Sequence, residues 1–398
     1  MLDPENRKWF AAETATLPPA RAAAILSPTV NTRYSGQSSL LASLSIQDTE
    51  PSLLADASAL PAHCYADPAF HSFDQEAVFA RSWQLAGHAQ ELRESGDHVV
   101  TEIASRPIIV VRGNDGVLRG FFNVCKHRAG PLALANGNAR QLQCKYHGWT
   151  YTLEGQLRAA HEMQGARDFD ISCIHLDPVR VGEWQALVFV AVDEPAVQLE
   201  ELMTGIKERI APIELPRLRF HTQVCYDMAC NWKVYVDNYL EGYHLPHVHP
   251  GLNKLLDYRS YTTHTAEWYS WQHSPLDGTR GPYQAGEAHY YFVFPNLMLN
   301  ILPGRLQVNT VLPVSQRQCR VLFDYYYSDT ESDAARDMIE QDLRFSDEVQ
   351  KEDMAICARV QQGLESGAYT AGRLSPRREA GVHHFQELVR RSYREALR

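Results

Sequence analysis

The sequence predicts an α+β protein: a small antiparallel β domain followed by a larger second domain with an antiparallel sheet covered by helices. Three observations predict this. Hairpin turn signals punctuate Val- and Ile-rich segments over residues 91–195. Strand-like and helix-like segments are mixed after residue 196. An amphipathic pattern then runs unbroken over 333–364. The chain has 398 residues, 44% of them apolar and 22% charged, which is enough apolar material to bury more than one core.

Residues 1–55 read as a flexible N-terminal tail, because 27–45 is rich in Ser, Thr, Ala and Gly without a sustained period. Residues 56–90 read as a helical lead-in packing on the second domain. Within it the spacing predicts a helix over 68–90, with Phe73, Val78, Phe79 and Trp83 as its apolar face. The texture turns to β at His98. Gly113-Asn114-Asp115-Gly116 and Glu154-Gly155 are hairpin turns, and 184–193 is a further strand, giving a β domain over 91–195.

The second domain is read over 196–398. Helices are expected over 199–210 and 232–245, the second ending near Pro246. Strands are expected at 219–230, 261–272, 289–294, 297–302, 306–312 and 320–328, before the long helix.

Net charge is −10, which argues against a nucleic-acid partner. No apolar stretch reaches the roughly 18–20 residues of a membrane span, and Met1 to Phe10 lacks an apolar core, so a cytoplasmic location is expected. In such a chain eight cysteines do not read as a disulfide framework. Two stand apart: Cys125-Lys126-His127 and Cys144-Lys145-Tyr146-His147 each sit where a strand meets a Gly-containing turn. Two thiolates and two imidazoles on converging loops suit zinc or a mixed-ligand [2Fe–2S] cluster. Zinc sites more often pair Cys with Cys at short spacing, which favours the cluster.

The stretches Asn123-Val124-Cys125-Lys126-His127-Arg128-Ala129-Gly130 and Cys144-Lys145-Tyr146-His147-Gly148-Trp149 resemble the Rieske domain of bacterial ring-hydroxylating and amine-hydroxylating oxygenases. Respiratory Rieske proteins carry an extra cysteine in each loop. Here those places hold other residues such as Tyr146, which points to the oxygenase type.

The second motif is Asp237-Asn238-Tyr239-Leu240-Glu241-Gly242-Tyr243-His244-Leu245-Pro246-His247-Val248-His249. Oxygen activation at Fe(II) needs two histidines and one carboxylate on one face, with the other positions open. His244 and His249 would lie about 140° apart on a regular helix and could not share an ion. Pro246 relieves this by interrupting the helix. His247 competes with His249. The carboxylate is sought in the long helix, where Ile339, Leu343, Ser346, Val349, Asp353, Ile356, Val360 and Leu364 form one stripe. Asp353 is its inward acid and Asp342 the alternative, while Asp347, Glu348 and Glu352 fall outside the arc.

This region, too, is similar to the oxygenases, closest to the branch of choline, glycine betaine and carnitine oxygenases. Phe294-Pro295-Asn296-Leu297-Met298-Leu299-Asn300-Ile301 adds to the likeness, which spans roughly 60–390. The resemblance implies a Rieske cluster on Cys125, His127, Cys144 and His147, and a mononuclear Fe(II) on His244, His249 and Asp353. It implies that Glu241 bridges a cluster histidine of one subunit to an iron-ligating histidine of the next, with Asp237 as a possible substitute. It further implies O2 as co-substrate, NAD(P)H electrons delivered by a flavin/iron–sulfur reductase, and a homotrimer. The implied reaction is hydroxylation or N-demethylation of a quaternary ammonium compound. An aromatic-ring oxygenase and a Rieske electron carrier are the alternatives. The aromatic-rich stretch 268–294, including Trp271, Tyr283 and Tyr290, could supply faces for a cation, and Arg305 could hold the carboxylate of a betaine-like substrate, although it reads rather as an exposed turn residue.

Overall fold

The structure, a computed structural model, describes residues 46–255, 262–276 and 285–398. The described chain divides into two compact units. One comprises Ala86–Glu183 and Leu187–Val192. The other takes in the described residues up to Leu85, Trp184–Ala186 and Asp193–Arg398.

The first unit is built from β1 (Gln84–His88), β2 (Asp97–Ile103), β3 (Arg106–Arg112), β4 (Leu118–Phe122), β5 (Gly137–Asn138), β6 (Leu142–Gln143), β7 (Thr150–Tyr151), β8 (Leu157–Ala159), β9 (Pro178–Trp184) and β10 (Leu187–Ala191). Seven strands form a sheet in the order β1-β10-β9-β4-β3-β2-β5, and β6-β7-β8 form a second sheet. The expected turn closes the β3–β4 hairpin, with Gly116 at φ 77°, a conformation glycine adopts without strain. The core joins Ile109, Val111, Phe121, Leu142, Trp149, Tyr151 and Leu157 to Cys125 and Cys144, so the two cysteine loops are anchored in it.

The helix expected over 68–90 is shorter. α1 (Pro68–Asp74) is capped by Asp67 and continues as a wide turn over Gln75–Phe79. Gln84–His88 is strand β1, beside the fully buried β10. Pairing with that strand overrides the local helical spacing. Residues 46–55, assigned to the tail, include a short helix, Ile46–Thr49, held by Arg390 Nε donating to the Asp48 carbonyl at 3.0 Å. The rest of the expected tail lies outside the described residues.

The second unit holds β11 (Arg219–Met228), β12 (Thr262–Thr265), β13 (Tyr269–Leu276), β14 (Gly286–Val293), β15 (Leu297–Leu302), β16 (Arg305–Ser315) and β17 (Gln318–Tyr327). All pair antiparallel, in the order β11-β17-β16-β15-β14-β13-β12. The single strand expected over 261–272 is two, because Ala266 and Tyr269 close a turn. The helix expected over 199–210 is two single turns, Leu199–Leu202 and Ile206–Arg209, split by Gly205 at φ 78°.

Helices of this unit include α2 (Trp232–Tyr239), α3 (Leu245–Val248), α4 (Asp333–Glu365) and α5 (Ala380–Ala396). None of the described helices is long and apolar enough to cross a membrane. α4 has the expected extent, but its buried face is set one residue later at its C-terminal end. Ile339, Asp342, Gln350, Cys357 and Gln361 are buried, and Val360 is exposed. The reason is polar: Gln350 accepts from Tyr235 Oη at 2.9 Å, and Gln361 accepts from the Asn231 backbone at 2.9 Å. Apolar character alone does not mark a face secured by amides.

Candidate active site

In the first unit the two motif loops meet. Cys125 and Cys144 are buried at 2% and 4% exposure. The His127 and His147 rings lie 4.7 Å apart, and His127 stacks on Trp149 at 4.7 Å with 11° between planes. Asn123 braces the first loop: its Oδ1 accepts from the backbones of Leu132 and Ala133, and its Nδ2 donates to the Ala133 carbonyl. The Lys145 backbone donates to the Pro131 carbonyl, tying the second loop to the first.

A mixed sulfur–nitrogen donor set fits this arrangement on two observations. His127 Nδ1 is buried with no hydrogen-bond partner, a position a ligated metal would fill. A Cβ at Gly130 would come within 2.8 Å of Cys144 Sγ, so only glycine lets the loops close this tightly around the sulfurs. Tyr151 Oη accepts from the Lys126 backbone at 3.0 Å, which leaves its proton for Cys125 Sγ at 3.3 Å. Burial raises the Cys125 thiol's pKa, and this hydrogen bond offsets part of the rise.

In the second unit α2 stops at Tyr239 rather than running to Leu245. Glu241 reshapes the chain there, its Oε2 accepting from the backbones of Tyr243 and His244, as a capping side chain does. His244 then precedes the single turn α3, in which Pro246 occupies the first turn, and His249 follows it. Proline therefore starts a helix between the two histidines instead of ending one.

This break brings the donors together. The ligating atoms of His244, His249 and Asp353 all lie within 4.8 Å of one another. His249 Nε2 is 2.9 Å from Asp353 Oδ1, His244 Nε2 is 3.9 Å from the same oxygen, and the rings are 5.0 Å apart. His249 is 1% exposed, whereas His247 is exposed and stands outside the group. Each ring turns its Nδ1 to a carboxylate: His244 to Glu241 Oε1 and His249 to Glu352 Oε2, both at 2.6 Å. Asn238 Nδ2 donates to Asp353 Oδ1 at 2.6 Å. Burial alone would lower the His249 pKa, but the hydrogen bonds and charges of Asp353 and Glu352 outweigh it and hold the imidazole above its ordinary value. Two imidazoles and a carboxylate, each with an outer partner, could hold a divalent metal with open positions.

Several expectations are corrected by this geometry. Glu352, placed outside the inward arc, reaches His249. Asp342 is away from the histidines, fully buried against Arg305 Nε at 2.6 Å and Tyr327 Oη at 2.5 Å. Arg305 is not an exposed turn residue but 4% exposed, since a buried carboxylate needs a countercharge. Asp237 cannot replace Glu241: it is bound by Tyr65 Oη at 2.7 Å and Gln386 Nε2 at 3.1 Å, and burial pushes its carboxyl up to about 7.

Beside the triad lies a cavity of about 150 Å³. Its aromatic lining is Tyr235, Tyr239, Tyr290, Phe323 and Phe345. Of the described aromatic residues in the aromatic-rich stretch, Tyr290 alone lines the cavity; Trp271 does not, and Tyr283 lies outside the described residues. Amides of Gln272, Asn300, Gln307, Asn309 and Gln350 also line it, as does Arg305. Tyr239 Oη donates to Asn300 Oδ1 at 2.6 Å, leaving the Asn300 NH2 as a donor.

The sequence matches the profile of the Rieske [2Fe-2S] domain over residues 82–173 and that of the ring hydroxylating alpha subunit (catalytic domain) over 215–395. It is 37% identical to the chloroplastic choline monooxygenase of Arabidopsis thaliana, over 84% of this chain and 82% of that one. It is 31% identical to the carnitine monooxygenase oxygenase subunit of Escherichia coli (strain K12), over 84% and 94% respectively. The fold matches the crystal structure of the quaternary ammonium Rieske monooxygenase CntA in complex with L-carnitine, with a TM-score of 0.76 and 29% identity, covering 86% of this chain and 99% of that one.

Proposed function

This chain belongs to the Rieske non-haem iron oxygenases, in the company of the choline and carnitine monooxygenases, and we propose that it hydroxylates or N-demethylates a small quaternary ammonium compound. Cys125, Cys144, His127 and His147 would hold the [2Fe–2S] cluster. His244, His249 and Asp353 would hold the mononuclear iron. When bound, the cluster supplies electrons one at a time and the iron supplies oxygen activation. The electrons come from NAD(P)H through a separate flavin/iron–sulfur reductase. In a homotrimer Glu241, already bound to His244, would be positioned to meet a cluster histidine of a neighbouring subunit.

The observation that carries the substrate class is the cavity wall. A trimethylammonium group has no N–H to donate, and aromatic faces such as Tyr239, Tyr290, Phe323 and Phe345 are its best partners. The amides suit the polar end of such a molecule, whether hydroxyl or carboxylate. A fused aromatic hydrocarbon would offer the Asn300 NH2 no acceptor. A cavity of about 150 Å³ takes a ligand of roughly benzene size, which choline approaches and a fused multi-ring hydrocarbon exceeds.

The chain's own groups do the remaining work. Glu241 and Glu352 fix the tautomer and direction of the two imidazoles, so that each Nε2 faces Asp353. Hydroxylation of an N-methyl carbon gives a hydroxymethylammonium, which releases formaldehyde and a proton to leave the tertiary amine. The test is oxygen uptake with formaldehyde detection across choline, glycine betaine and carnitine, using a surrogate reductase. Substrate-dependent uptake with formaldehyde, aldehyde or alcohol from one of these is expected. Uptake coupled only to arenes, giving cis-diols or phenols, would replace this reading with ring oxygenation.

Two further outcomes follow. Glu352→Gln keeps the fold but loses the carboxyl partner of His249, and should cost roughly 10–100-fold in iron affinity or activity, read by iron titration and turnover. Tyr151→Phe removes the hydroxyl at Cys125 Sγ. A hydrogen bond worth about 1 kcal/mol corresponds to roughly 40 mV for one electron, so the cluster's potential should fall by about that much in a redox titration.

A further inference from the structure

Strands β13 and β14 send successive side chains to opposite faces of the sheet. Gln272 and Tyr290 pair across these strands and line the cavity. Their neighbours His273 and His289, also paired directly, therefore belong to the other face. Glu287, two residues before His289, shares that face.

There the three form a compact donor set outside the active site. Their ligating atoms all lie within 4.8 Å of one another. His273 Nε2 is 3.3 Å from Glu287 Oε1, and His289 Nε2 is 3.6 Å from Glu287 Oε2. The two rings are 5.2 Å apart. These separations are long for charge-assisted hydrogen bonds, which run at about 2.7–2.9 Å. Metal–ligand bonds of about 2.0–2.2 Å place neighbouring donors roughly 3.3–3.6 Å apart, and one or the other Glu287 oxygen stands at such a distance from each imidazole. His289 is 7% exposed, and its Nδ1 is buried without a hydrogen-bond partner, so the ring's polar contact runs through Nε2. His273 is partly exposed and Glu287 exposed, which leaves a path for an ion and room for water to complete its coordination.

We infer that His273, Glu287 and His289 form a second metal site, for a divalent first-row ion of the zinc type, on the face of the sheet away from the catalytic cavity. The ion links β13 to β14 and braces the strand pair that carries Gln272 and Tyr290 into the substrate cavity. It takes no part in electron transfer, because zinc has one accessible oxidation state.

The test uses the iron-loaded holoprotein titrated with zinc chloride, followed by calorimetry and by metal analysis after desalting. Wild type is expected to take up one zinc per chain with its iron content unchanged, and to melt at a higher temperature with zinc than without. The double variant His273→Gln/Glu287→Gln replaces two partly or fully exposed side chains. It should fold and keep its iron but bind zinc at least about tenfold more weakly, the lower bound for losing even an outer partner. It should also lose the zinc-dependent rise in melting temperature. A third protein, His249→Ala, separates this site from the iron triad and should retain the zinc. Equal zinc affinity in wild type and the double variant would overturn the assignment, as would loss of the zinc in His249→Ala.

Discussion

Replacing His249 with alanine is expected to lower turnover by more than the roughly 10–100-fold that losing an outer partner costs a metal site, while the visible spectrum of the iron–sulfur cluster stays unchanged. The imidazole is buried between Asp353 at 2.9 Å and Glu352 at 2.6 Å. Its removal takes away one metal donor and leaves the Glu352 and Asp353 carboxylates facing a gap without the imidazole that separated them. Iron per chain should fall from about three to about two, the pair held by a [2Fe–2S] cluster. Metal analysis and steady-state kinetics on the same preparation check both halves. Undiminished turnover would remove His249 from the site.

Asp74→Ala should be the most damaging substitution away from the irons. Asp74 and Lys233 are an ion pair with no exposed side-chain surface. Asp74 also accepts from Trp232 Nε1 at 2.8 Å and from Tyr393 Oη at 2.5 Å, so one carboxylate joins α1, α2 and α5. Removing it strands a buried ammonium, at a cost of about 3–5 kcal/mol. At roughly 2–4 °C per kcal/mol for a unit of this size, the melting temperature should drop by about 6–20 °C. The pairing Asp74→Leu with Lys233→Met should recover much of the loss, because replacing both charges leaves none unpaired. The effect reaches function through α2, which carries Tyr235, Asn238 and Tyr239 to the cavity. Scanning calorimetry of the single and double variants decides it.

The cluster loops were legible in the sequence because all four donors sit within two short strand–turn segments, where chemistry and spacing coincide. His244 and His249 were legible for the same reason, although the backbone between them was not. Reading Pro246 as a helix end missed that Glu241 resets the chain, so that proline begins a new turn. Asp353 stood out as an acid on a mostly apolar stripe. Glu352 did not, since a longer side chain reaches His249 from the edge of the face, a distance that helical angles do not encode. Arg305 carried a usable signal: Asp342 on the same inward arc needed a buried cation, and β16 offered one. The cavity aromatics were harder to find, because Tyr290, Tyr239, Phe323 and Phe345 come from two helices and two strands far apart in sequence.

The most direct measurement of the central claim, two distinct iron centres in one chain, is electron paramagnetic resonance of the reduced holoprotein with and without nitric oxide. Wild type should show the rhombic signal of a reduced Rieske cluster, and nitric oxide should add the high-spin signal of a ferrous nitrosyl. Asp353→Ala should keep the first and lose the second. A nitrosyl signal that persists in Asp353→Ala, or a wild-type protein with no rhombic signal, would contradict the account.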